Sequence, residues 1–177
     1  IQIKKAQFLK SDGPQPPPAA GLPWEERSLP DFWRTHRASD SGFGWYRAGF
    51  DVLHQPDTPW SVFVPFANSA LAVRVNGVEI GREPAFDASH ISARASPPHL
   101  VTVPATLLAP GRNTLELHLR VERDINSGVS RVEVGPQEWM QPRYLEQRLW
   151  RIDLPRALNM ASLVAIRIAL RVDPATA

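Results

Sequence analysis

A chain without cysteine must draw its chemistry from imidazoles, carboxylates, hydroxyls and aromatic rings, and here these groups are scattered. The histidines His36, His54, His90, His99 and His118 form no HxH or HxxxH pair, so the sequence signal for a histidine-held metal is weak. The absence of cysteine removes thiolate zinc sites, iron–sulfur clusters, disulfides and a cysteine nucleophile. Glu25-Glu26 and the pair Glu122 and Asp124 read as solvated charges rather than as an acid/base couple. GxSxG is missing, and GFGWYR matches neither GxGxxG nor GxxxxGK, so nucleophile-elbow and phosphate-loop chemistry are not indicated. What remains is stacking and hydrogen bonding. Trp33, Phe43, Trp45 and Tyr46 surround the loop ASDSGFG, and Phe86 sits in the long connection REPAFDASHISARASPP. Rings of this kind stack on sugar faces while Asp, Asn and Arg bond to hydroxyls. Phe86, Asp87, His90 and Arg94 are the candidate ligand-binding residues, because so long a loop is more often functional than a tight turn. Trp45 and Tyr46, lying in a strand, are expected to serve the core. The expectation is a binding module, not an enzyme, with no cofactor and no metal.

The body that must position these residues is 177 residues long, 43% hydrophobic and 21% charged, which suits one soluble domain. Its net charge is +2, from 20 Lys+Arg against 18 Asp+Glu, with the signs interspersed, which argues against a nucleic-acid partner. Between Trp24 and Pro136 short alternating runs recur about every dozen residues, the pattern of a sandwich or jelly roll. In WYRAGFDVL, residues Tyr46, Ala48, Phe50 and Val52 share one face while Arg47 and Asp51 take the other. In NTLELHLRV, Leu115, Leu117, Leu119 and Val121 point inward while Glu116, His118 and Arg120 point out. Asn76-Gly77, between apolar runs, is a hairpin signal, since both residues accept positive φ. No βαβ rhythm occurs, so the predicted class is mainly β, a jelly-roll sandwich with a C-terminal helix.

The ends differ from the body. Residues 13–23, GPQPPPAAGLP, hold five prolines and read as an extended surface connector or, as the lesser reading, a PxxP-type ligand. Ile1, Ile3 and Phe8 suggest a strand ahead of it. From Pro142 to Trp150 a helix is expected, with Pro155 interrupting it. Ala157 to Val172 is then almost wholly apolar, sixteen residues against the roughly 20 of a spanning helix, and contains Arg167. Three readings stay open for this stretch: a partner-facing helix, an interfacial amphipathic helix, or a shortened membrane anchor. The expected organisation is a sandwich over 1–136 and a linker helix with its apolar segment over 137–177.

Two resemblances organise these motifs. Gly44-Trp45-Tyr46-Arg47, Val75-Asn76-Gly77, Gly81 and the run Leu108 to Asn113 resemble the galactose-binding-like jelly roll that serves family 2 glycoside hydrolases as a sugar-binding domain. In those enzymes the catalytic glutamates lie in a separate barrel, so the resemblance implies a carbohydrate-binding accessory domain. The wider order, an N-terminal strand, LPDFW, the jelly roll, VGP and then PRYLEQRLWRIDLPRALN, resembles the extracytoplasmic N-terminal domain of bacterial membrane-bound sensor histidine kinases. That resemblance implies a ligand- or partner-sensing input domain on the periplasmic side of the inner membrane, held there through the C-terminal segment. It also implies a homodimer contact at Tyr144, Leu145, Leu149 and Trp150. The sensing role is the primary expectation and the carbohydrate-binding role its alternative.

Overall fold

Period-two alternation carries the architecture. The computed structural model describes residues 1–11, 13, 15, 21–36, 41–67, 70–86, 97–121 and 128–171. Its first strands are β1 (Gln2–Ile3), β2 (Lys5–Ser11), β3 (Glu25–Ser28) and β4 (Asp31–Phe32), followed by the single turn α1 (Trp33–His36). The long strand β5 (Gly42–Val52) precedes β6 (Trp60–Val64), β7 (Ala70–Val75) and β8 (Val78–Arg82). After a 3-10 turn at Pro84–Phe86 come β9 (His99–Val103), β10 (Gly111–Val121), β11 (Gly128–Val129) and β12 (Val132–Pro136). The helix α2 (Gln137–Arg148), a π turn at Leu149–Asp153 and α3 (Leu154–Arg171) close the described chain.

These strands make two facing antiparallel sheets, β1-β12-β6-β9 and β3-β2-β5-β10-β7-β8, with the short pair β11-β4 beside them. Between the sheets, Val62, Val64, Val132 and Val134 meet Tyr46, Phe50, Val73, Leu115, Leu117 and Leu119 in one core. The register explains the layering: Leu117 lies opposite both Tyr46 and Val73, so three adjacent strands deliver large apolar side chains to one level. Asn76 and Gly77 have φ of 49° and 80°, which closes β7 onto β8 as a two-residue hairpin between Val75 and Val78. At one side the sheets abut: a Cβ on Gly81 of β8 would stand 2.8 Å from Val101 Cγ1 of β9. At the other side, the edge strand β3 carries Glu25, Glu26 and Arg27, and β1 is two residues long.

The helical end departs from expectation. The helix starts directly after β12 at Gln137, with Pro142 inside it, so Pro142 is not its first residue. Pro142 removes one backbone donor there, and α2 is held instead by Met140, whose Cε lies where a Gly135 side chain would go. Nor does Pro155 break the chain. The π turn widens the backbone just before it, and α3 continues with the proline in its first turn. The Pro-rich connector lies largely outside the described residues. Among the described residues no helix is long and apolar enough to cross a membrane.

Candidate functional site

The six-stranded sheet turns one face to the core and the other to an unusual polar layer. Pairing places Glu26, Gln7, Arg47, Glu116, Arg74 and Glu79 opposite one another across six strands. The arginines and glutamates of this row alternate in sign. Arg47 Nη2 stands 3.0 Å from Glu116 Oε1, and Arg74 Nη1 stands 3.8 Å from Glu116 Oε2, so one nearly buried carboxylate is shared by two guanidinium groups. The Arg47 guanidinium also lies 4.3 Å over the Trp24 ring. Further along, Arg82 grips Glu79 through two bonds of 2.8 and 2.6 Å and holds that carboxyl below its usual range.

On one side of the charged row is an aromatic cluster. Trp45 stacks on His118 at 3.9 Å and 12°, with Phe43 and Phe86 against the same imidazole. His118 is 1% exposed, and burial, reinforced by the nearby Arg82 and Arg74 charges and opposed by Glu79, lowers its pKa to about 3. It is therefore neutral at physiological pH. Its Nε2 and the Trp45 Nε1 are both buried without a hydrogen-bond partner.

On the other side of the row is an open groove. Lys5, Gln7, Glu26, Arg47, Gly49, Arg112 and Thr114 line a cavity of about 390 Å³, within the size range of small-ligand sites. Gly49 makes room for it: the Arg112 guanidinium occupies the place a Cβ would take. Two of its cations are loosely held. Lys5 pairs with Glu26 at 2.7 Å and Arg112 with Asp51 at 3.1 Å, all four side chains being about two-thirds exposed. Exposed pairs of this kind contribute little stability and can exchange partners. Arg47, anchored on Glu116 and Trp24, is the fixed member. A groove presenting amide, guanidinium, ammonium, hydroxyl and carboxylate groups within one small volume suits a polyhydroxylated ligand, whose hydroxyls both donate and accept.

Two further cavities have other characters. One of about 400 Å³ opens where β8 meets β9, with His99 Nδ1 2.7 Å from Glu83 Oε1 above the apolar side chains Leu71, Val73, Ile80 and Val101. The other, about 470 Å³, separates Ile1 and Glu133 from Trp139, Met140 and Arg143 of α2. Among the described residues no three His, Asp or Glu side chains gather as a metal site.

Of the residues singled out from sequence, Phe86 is 2% exposed. Its ring is packed on Phe43 and His118 and its carbonyl accepts from Arg120 Nη1 at 2.9 Å, so it plugs the aromatic cluster. Asp87, His90 and Arg94 lie outside the described residues. Tyr46 is a core residue, its hydroxyl accepting from Trp33 Nε1 at 2.9 Å and donating to Asp31 Oδ2 at 2.8 Å. Trp45 is equally buried but belongs to the outer layer. Tyr144, Leu145, Leu149 and Trp150 lie on α2 and the π turn, where Leu145, Leu149 and Trp150 are exposed. The groove residues Lys5 and Gln7 carried no motif, and Arg112, although inside the run Leu108 to Asn113, was not singled out as a binding residue. The outward assignment of Arg47 and Asp51 was the available signal.

No protein-family profile matches the chain, and no characterised protein matches it by sequence. Solved structures do match in shape. A family 2 (GH2) β-galacturonidase from Eisenbergiella tayi bound to glycerol superposes with a TM-score of 0.54 at 16% identity, covering 76% of this chain and 23% of that one. A glycosyl hydrolase family 2 member from Bacteroides cellulosilyticus DSM 14838 gives 0.55 at 14% identity, covering 77% and 20%. The β-glucuronidase of Faecalibacterium prausnitzii gives 0.52 at 17% identity, covering 68% and 21%. The fold is a galactose-binding-like jelly roll. At these identities the likeness concerns the fold alone, and the jelly roll spans less than a quarter of the length of each of these three enzymes.

Proposed function

We propose that this jelly roll is a non-catalytic carbohydrate-binding module that takes a saccharide into the groove beside Arg47. The observation that carries this reading is the groove itself, where Lys5, Gln7, Glu26, Arg47, Arg112 and Thr114 converge on a cavity of ligand size. The shape likeness to a domain-sized part of GH2 enzymes supports it, as does a sequence without a recognisable acid/base pair. The test is calorimetric titration of the chain with neutral and uronate oligosaccharides. Saturable binding that is weakened in Gln7→Ala and Arg112→Ala, both solvent-accessible changes, is expected. Absence of heat and of thermal stabilisation with every sugar would sink the reading.

A second reading is favoured by one feature. The unbroken helical segment from Gln137 to Arg171 leaves the sandwich from β12 and could carry a change in the sandwich to a downstream domain. In this reading the jelly roll is the periplasmic input domain of a membrane-bound signalling protein, and ligand binding shifts α2 by differential affinity for two arrangements. Hydrogen exchange in α2 with and without bound sugar tests it. Unchanged protection at saturating sugar counts against it.

A further inference from the structure

We propose that α3 is a lipid-docking element that lies along the surface of an anionic bilayer. This deepens the membrane part of the signalling reading, requires no signalling output, and is independent of the saccharide groove. The starting observation is exposure: every side chain from Leu154 to Ala165 is exposed, including Leu154, Leu158, Met160, Leu163 and Val164 at 37 to 62%. An isolated helix of this length in water is stabilised mainly by covering its apolar side, and the sandwich does not cover this one.

The distribution of these side chains selects the covering partner. At 3.6 residues per turn, Leu154, Leu158, Ala161 and Ala165 share one side of the helix, and Arg156 and Arg167 lie together on the opposite side. A helix lying in the plane of a bilayer surface needs that division, with its apolar side towards the acyl chains and its cations towards the headgroups. Charge points the same way. No Asp or Glu occurs between Asp153 and Asp173, while Arg156, Arg167 and Arg171 do. Arg156 and Arg167 are exposed. Guanidinium groups pair with lipid phosphates, and the long arginine stems let their heads stay at headgroup level while Leu154 and Leu158 enter the acyl boundary. The stretch between Arg156 and Arg167 is too short to span the hydrocarbon core, which favours an in-plane position.

The experiment is flotation of the chain with vesicles of phosphatidylcholine containing phosphatidylglycerol, and with phosphatidylcholine alone, at low and high salt. Flotation with the anionic vesicles, weakened by salt and by omitting phosphatidylglycerol, is expected. The double variant Leu158→Glu, Val164→Glu should lose roughly tenfold or more in partition while keeping the thermal transition of the sandwich. Leu53→Glu, a control on the sandwich where Leu53 is 87% exposed, should float like the parent. Failure to float with anionic vesicles overturns the proposal, as does a lipid-free dimer in sedimentation equilibrium that the same two substitutions dissociate. No sugar is present, so either failure leaves the groove reading untouched.

Discussion

The Asn76 side-chain amide donates to Asn113 Oδ1 at 2.8 Å, tying the β7–β8 hairpin turn to the bend that starts β10. Asn113 is buried and its amide does more. Its oxygen also accepts from the Ala109 amide, and its nitrogen donates to the carbonyls of Ala109 and Gly111. Asn76 in turn accepts from the Thr114 amide. Two motifs distant in sequence, VNG and APGRN, are thus one hydrogen-bonded unit.

Replacing Asn113 by Ala leaves several of these groups unpaired in a buried site, and a loss of about 2–4 kcal/mol is expected. Chemical denaturation measures it. A loss below about 1 kcal/mol would mean that water satisfies the bend equally well.

His118 makes stability depend on pH. Its folded pKa, about 3, lies below the 6.5 of an unperturbed imidazole. The unfolded chain therefore binds a proton that the folded chain refuses as pH falls below 6.5. The sandwich should lose stability through the window from pH 6.5 to 3, at a limiting slope of roughly 1.4 kcal/mol per pH unit from this group. His118→Phe, which keeps the stack on Trp45, should flatten that part of the profile of melting temperature against pH. An unchanged profile would assign the acid sensitivity to other groups.

Two glycines of β5 separate core packing from groove shape. A Cβ on Gly44 would stand 2.5 Å from Trp33 Cζ2 and 2.9 Å from Phe8 Cε2, both in buried rings that have nowhere to move. Gly44→Ala should cost about 1–3 kcal/mol. At Gly49 the obstacle is the end of the exposed Arg112 side chain, which can swing into solvent. Gly49→Ala should change stability by less than about 0.5 kcal/mol, yet it narrows the groove and should abolish sugar binding. Paired thermal melts and calorimetry check both. Full sugar binding by the Gly49 variant would place the ligand elsewhere.

The strands were legible because one residue in two along β5 and β10 must face the core, and Tyr46, Phe50, Leu115 and Leu117 announce that side. The hairpin was legible because Asn76-Gly77 tolerates a backbone that most residues avoid. The burial of His118 was not, since the sequence says only that it faces away from Leu117. What covers it is Phe86, brought over by a turn beyond β8. The groove was illegible for the same reason. Lys5, Arg47 and Arg112 meet only through the pairing of β2 with β5 and of β5 with β10, and no local pattern encodes that meeting. The start of α2 was misplaced because Pro142 resembles a helix N-terminus, whereas packing of Met140 on Gly135 carries the helix past it.

The margins of the two sheets bear on how this chain can self-associate. β8 and β9 shelter each other where Gly81 meets Val101, β3 offers a neighbour two glutamates and an arginine, and β1 presents a rung of only two residues. None of these margins offers a long, flat, apolar template for the addition of another strand, so backbone pairing between copies is disfavoured there. At these margins copies are left to meet through side chains, the charges of β3 among them.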